Sequence, residues 1–110
     1  MADDTPLPTP VEYEVLKLLL PREMYGLQLV KASDGKLKRG TVYVTLGRME
    51  DKGLVKSRSG EPTPERGGRA KRFLTVTGTG RAALVDAQRA YQKLLLGLDL
   101  LKRNAGGVNG

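Results

Sequence analysis

Apolar residues recur along the chain with two periods, and the change from one to the other divides it. From Thr9 onward the spacing is helical: Val11, Val15, Leu18 and Leu19 fall on one face of a helix that Pro21 ends near residue 20. Thr9-Pro10-Val11-Glu12 marks its start, with a capping threonine, a proline at the first helical position and a glutamate three residues after the cap. A short second helix fits 25–32, with Leu27, Val30 and Leu29 as its inward residues, and Ser33-Asp34-Gly35 stops it. A third covers 40–52, because Val42, Leu46 and Met49 recur at i, i+4 and i+7 and Gly53 can close it in a left-handed conformation. Beyond Gly53 the runs 54–58 and 71–76 are short, alternating or β-branched. They flank a tip, 59–70, that contains Gly60, Pro62, Pro64, Gly67 and Gly68, which makes a hairpin with a long loop.

The last element is a long helix, capped at Thr77 or Thr79 and running to about residue 102. Its residues Leu84, Ala87, Tyr91, Leu94, Leu98 and Leu101 step by 3, 4, 3, 4 and 3, the seam of a heptad repeat. Such a stripe can pack on the first helix of the same chain. Leu95, Leu96 and Leu100 lie off the seam, however, so the helix is apolar on more than one side, and one small core cannot cover both. The expected organisation is a loose leader over 1–8, a compact domain over 9–76, a helix over 77–103 that pairs two subunits, and an unstructured Gly-rich tail over 104–110.

Charge sharpens this outline. The chain of 110 residues has a net charge of +7, but residues 1–30 are net −3, 31–81 net +8 and 82–110 net +2. A basic surface concentrated on the third helix and the hairpin attracts polyanions by counterion release, with nucleic acid the usual partner, although a solvated lysine-rich face would share the composition. Composition also excludes chemistry. With no His and no Cys there is no zinc site of the usual kind, no disulfide and no His-assisted triad. No cofactor or metal is expected. No apolar run reaches the roughly 20 residues that span a bilayer, and residues 1–10 do not have the pattern of a secretory signal, which predicts a soluble cytoplasmic protein without a membrane partner.

Three helices followed by a basic hairpin describe a winged helix-turn-helix: a mainly α fold with a small β-hairpin, extended here by a long C-terminal dimerisation helix. In such a domain the third helix enters the major groove and the hairpin, or wing, lies along the backbone. The amides at Gly40 and Thr41 would meet a phosphate that Lys38 and Arg39 neutralise, leaving Thr41, Tyr43, Thr45 and Arg48 for base edges or neighbouring phosphates. Tyr43 has an alternative place as a half-buried ring against the hairpin. Arg66, Arg69, Lys71 and Arg72 make a basic cluster on the wing.

The residues also resemble a known family, the PadR-like transcriptional regulators, over about 11–84. The likeness rests on Tyr25-Gly26, on 40–55 with its Gly40-Thr41-Val42-Tyr43 opening and Gly53-Leu54-Val55 end, and on 68–81, where the basic pair Lys71-Arg72 precedes Phe73 and Thr77-Gly78-Thr79-Gly80 starts a helix. This resemblance implies a homodimeric winged-helix protein that binds double-stranded operator DNA, usually as a repressor, and dimerises through its C-terminal helix. The chain departs from the family pattern at Gly47, Leu27 and Leu74. Some small members bind flat apolar molecules between dimer helices with the help of a Trp, which is absent here, so a small apolar effector is left open. Among other classes, an enzyme would need paired carboxylates, a lysine or a serine in a cleft, and the acidic residues show no such spacing. A winged helix can also serve as a protein-docking adaptor without specific DNA binding, the alternative reading.

Overall fold

The computed structural model describes residues 7–62 and 70–109. Helix α1 (Pro10–Leu19) starts on a complete capping box: Thr9 Oγ1 accepts the Glu12 amide at 3.2 Å, and Glu12 Oε1 accepts the Thr9 amide at 3.0 Å. The other Glu12 oxygen takes Lys52 Nζ at 2.7 Å. With both oxygens occupied, the carboxylate can be buried, and the core stripe of α1 is Glu12, Val15, Leu16 and Leu19. Val11 is exposed and Leu18 half-buried, contrary to the expected face, because a charged residue occupies one position of the true stripe.

A two-residue strand, β1 (Met24–Tyr25), follows, then α2 (Gly26–Ala32). In α2 the fully buried residue is Leu29, while Leu27 and Val30 are half-buried; two turns of helix present too few positions to define a stripe. The turn into α3 (Arg39–Asp51) is built on Asp34 and Gly35, both at positive φ, and on the buried Ser33. Ser33 Oγ donates to the Val30 carbonyl at 2.8 Å and accepts the Leu37 amide at 2.9 Å. Ser33→Ala would leave both groups without this partner in a closed environment. It is expected to cost about 1 to 3 kcal/mol, read as a lower urea midpoint at unchanged m.

Val42, Leu46 and Met49 form the core face of α3, as the sequence predicts, and Gly53 closes the helix at φ +76°. Strands β2 (Val55–Pro62) and β3 (Ala70–Val76) pair antiparallel, and β1 joins the other edge of β3, giving the order β1-β3-β2. The expected hairpin is therefore part of a three-stranded sheet, with Met24 opposite Leu74 and Tyr25 opposite Phe73. Its strands are also longer than expected, pairing from Val55 with Val76 out to Pro62 with Ala70 and shifting register beyond Ser59.

Helix α4 (Gly78–Asn109) is capped by Thr77, whose hydroxyl accepts the Gly80 amide at 3.0 Å and donates to the Gly53 carbonyl. The helix continues through most of the residues expected as a loose tail. No proline interrupts it there, and Gly106 and Gly107 weaken a helix by about 1 kcal/mol each relative to Ala without forbidding it. One apolar core, from Val15, Leu16 and Leu29 through Met49 and Leu54 to Leu74 and Leu84, joins all four helices to the sheet. The outer face of the sheet carries a set of side-chain contacts of its own. Tyr25 meets Phe73 edge-on at 5.5 Å, and Arg58 lies over the Phe73 ring while its guanidinium hydrogen-bonds Glu23 and holds that carboxyl below the ordinary carboxylate range.

Candidate nucleic-acid interface

With Val42, Leu46 and Met49 turned into the core, α3 shows its opposite face to solvent. Thr41, Val44 and Arg48, at i, i+3 and i+7, run along that face and are all exposed. Lys38 and Arg39 stand exposed at its N-terminal end, where the helix dipole is positive. Among the described residues none of Lys38, Arg39 and Arg48 has a carboxylate partner, whereas Lys36, Lys52, Arg58 and Arg72 each do. At the helix start the Thr41 amide is already bonded to the Lys38 carbonyl at 3.1 Å, and Thr41 Oγ1 turns to the same oxygen. The amides offered to an anion are thus those of Arg39 and Gly40, one residue earlier than expected, because the helix begins at Arg39.

Tyr43 lies on the flank of α3 and keeps 53% of its surface exposed. Its ring packs on the first turn of α2: a Cβ added to Gly26 would stand 2.6 Å from Tyr43 Cε1. Thr45 is half-buried on the other flank. Val44, absent from the expected set, is 55% exposed in the middle of the strip, where an apolar side chain suits a thymine methyl. Its apolar character hid it, since a valine beside a core position reads as core. Gly40 and Gly47 border the strip, and nothing lies within 4 Å of a Cβ built on either. The surface is therefore low and open to close approach.

The wing departs from its expected form. Arg66 and Arg69 lie outside the described residues. Lys71 and Arg72 do not share a surface, because neighbouring residues of a strand point to opposite faces. Lys71 Nζ sits 4.5 Å from the centroid of the Tyr25 ring on the outer face, while Arg72 reaches towards α3 and pairs with Glu50 at 3.3 Å. An ion pair this exposed contributes about 0 to 1 kcal/mol to stability, so its effect is on where the guanidinium stands.

The C-terminal helix also divides differently from its heptad pattern. Leu84 and Ala87 are buried in the core of their own chain and are not available to a second subunit. The phase is as expected, but α1 and the sheet cover the first two steps of the stripe. Tyr91 stacks obliquely on Tyr13 at 5.2 Å. From there on Leu94, Leu95, Leu96, Leu98, Leu100 and Leu101 are all exposed. Beside them an open groove of about 520 Å³ between α1 and α4 is lined by Val11, Tyr13, Tyr91 and Leu95. Among the described residues no cluster of acidic side chains could hold a metal ion, and no helix is long and apolar enough to cross a membrane.

A four-helix fold with a small sheet, an open polar third helix and a wing defines a winged-helix domain. Residues 15–86 match the Transcriptional regulator PadR-like family, and the chain belongs to that family. Similar solved structures include a PadR family transcription regulator from Clostridium difficile, with 22% identity, a TM-score of 0.72, and 84% of this chain and 98% of that one covered. A putative transcriptional regulator from Thermoplasma acidophilum is 28% identical over 83% of this chain and 88% of its own, with a TM-score of 0.68. Bacillus subtilis PadR in complex with operator DNA matches at 21% identity and a TM-score of 0.65, covering 72% of this chain and 46% of that longer one. No curated protein matches the chain in sequence.

Proposed function

We propose that this PadR-like regulator binds double-stranded DNA sequence-specifically as a homodimer and represses transcription from an inverted-repeat operator. The observation that carries the reading is the outer face of α3, where Thr41, Val44 and Arg48 stand exposed behind the cations Lys38 and Arg39, which have no carboxylate partner among the described residues. Hydrogen-bonding and apolar side chains in the middle of the strip suit base edges, and the cations at its start suit phosphate. The Bacillus subtilis relative, described in complex with operator DNA, supports the same partner. The second subunit is supported by the bare leucines of α4, a row that a solitary helix would leave in water.

Gel shifts with duplex DNA from upstream of the protein's own gene test the reading at two salt concentrations. If two protomers neutralise about 6 to 10 phosphates, affinity should fall roughly a thousandfold or more between 50 and 200 mM salt. Binding that is indifferent to salt would remove DNA as the partner of this surface. Arg48→Ala is expected to cost about 1 to 3 kcal/mol of operator affinity and to relax the preference at one base pair, which a panel of single-substitution duplexes measures. Equal weakening across the whole panel would assign Arg48 to the phosphate backbone.

A further inference from the structure

The side of the sheet turned towards α3 carries a polar junction that the outer strip does not use. Glu50 lies in the last turn of α3, away from Thr41, Val44 and Arg48, and its Oε2 receives two donors from the wing. Ser57 Oγ of β2 donates at 2.7 Å and Arg72 Nη2 of β3 at 3.3 Å. Arg72 Nε in turn donates to Ser57 Oγ at 2.9 Å, so three side chains from three elements close a ring. Among the described residues no other side-chain hydrogen bond joins α3 to these two strands.

We propose that Glu50 is a positioning residue that sets the selectivity of this regulator: it fixes the wing against the recognition helix and withholds Arg72 from phosphate. The inference rests on the DNA-binding reading above. Arg72 keeps 68% of its side chain exposed, so the carboxylate and not burial determines where its charge stands. A released wing cation would pair with the phosphates of any sequence, adding affinity that carries no base information. A carboxylate next to a phosphate-binding surface opposes binding in general. Its presence here is explained if it exchanges indiscriminate affinity for a fixed geometry of helix and wing on one duplex.

The test compares two duplexes of equal length, the DNA upstream of the protein's own gene and a random sequence, by fluorescence anisotropy with the full chain. Glu50→Gln keeps an oxygen for Ser57 but loses the charge that holds Arg72. It should bind the random duplex more tightly, lower the ratio of upstream to random affinity about tenfold, and steepen the salt dependence by about one phosphate per protomer. Ser57→Ala, which opens the ring without changing charge, should lower the ratio in the same direction. In an Arg72→Gln background Glu50→Gln should no longer change the ratio. A merely structural role would instead weaken binding to both duplexes together and leave the salt slope alone. Unchanged ratio and slope in Glu50→Gln, or the same change with and without Arg72, would overturn the positioning role. A wild-type protein with no preference for the upstream duplex would overturn the DNA-binding reading itself, and this inference with it.

Discussion

Gly80→Ala should unfold this protein far more readily than any other exchange of glycine for alanine in α4. The first turn of that helix is pressed onto the end of α3 and the start of β2. The Leu54 carbonyl accepts the Thr77 amide at 3.1 Å, and Thr77 itself bonds to Gly53 and Gly80. A Cβ on Gly80 would stand 2.1 Å from the Leu54 carbonyl oxygen and 2.8 Å from Val76 Cγ1. The first of these is backbone, held by its own hydrogen bond, and cannot rotate away as a side chain can. The helix must therefore lift, and Leu84 and Ala87, one and two turns further on, lift out of the core with it. Overpacking against backbone together with lost burial should cost about 3 to 5 kcal/mol, a large part of the 5 to 15 kcal/mol that stabilises a typical domain. Thermal unfolding should show the midpoint down by about 10 to 20 °C. Gly47→Ala supplies the contrast, because nothing lies within 4 Å of its Cβ position and the residue is inside α3. It should raise stability by about 1 kcal/mol. Equal stabilities for Gly80→Ala and the wild type would show that the α4 junction yields without cost.

What could be read in the sequence was whatever is decided locally. The capping box of Thr9 and Glu12, the core face of α3 and the left-handed Gly53 each depend on residues within one or two turns, and each is found as expected. The strand β1 was not legible, because Met24 and Tyr25 have no pattern of their own and become a strand only by pairing with Leu74 and Phe73, about fifty residues away. Burial of Glu12 was hidden for the same reason: its partner Lys52 is separated from it by 40 positions. In the candidate interface, Lys38, Arg39, Thr41 and Arg48 could be named from a polar helix face. The ring of Glu50, Ser57 and Arg72 could not, since it exists only once the sheet has brought β2 and β3 against α3. Counting charges along the chain put Lys71 and Arg72 in one cluster; strand alternation separates them.

The second large effect concerns the exposed half of α4. On the proposed two-fold assembly, Leu94, Leu98 and Leu101 meet the second subunit, and Leu94→Asp should turn the dimer into a folded monomer. Leu94 is 57% exposed within its own chain, so the domain does not depend on it, and an aspartate there should change monomer stability by no more than about 0.5 kcal/mol. In a subunit contact the same aspartate would be a buried charge without a partner, which an apolar seam cannot tolerate. Truncation to alanine is the milder form, removing about 2 to 5 kcal/mol of dimer stability if the site is fully covered. The consequence for DNA follows from geometry. Two recognition helices related by a two-fold axis meet half-sites about one helical turn, or a multiple of it, apart, near 34 to 36 Å for one turn. Once one helix is seated, the second binds at high effective concentration, and losing that link should lower operator affinity by about 10² to 10⁴. Sedimentation velocity should give half the wild-type mass for Leu94→Asp, with an unchanged circular dichroism spectrum and loss of the slow operator complex in gel shifts. A wild type that sediments as a monomer at micromolar concentration, or a Leu94→Asp protein that still occupies its operator as a dimer, would take the assembly away from α4 and leave its leucines to another partner.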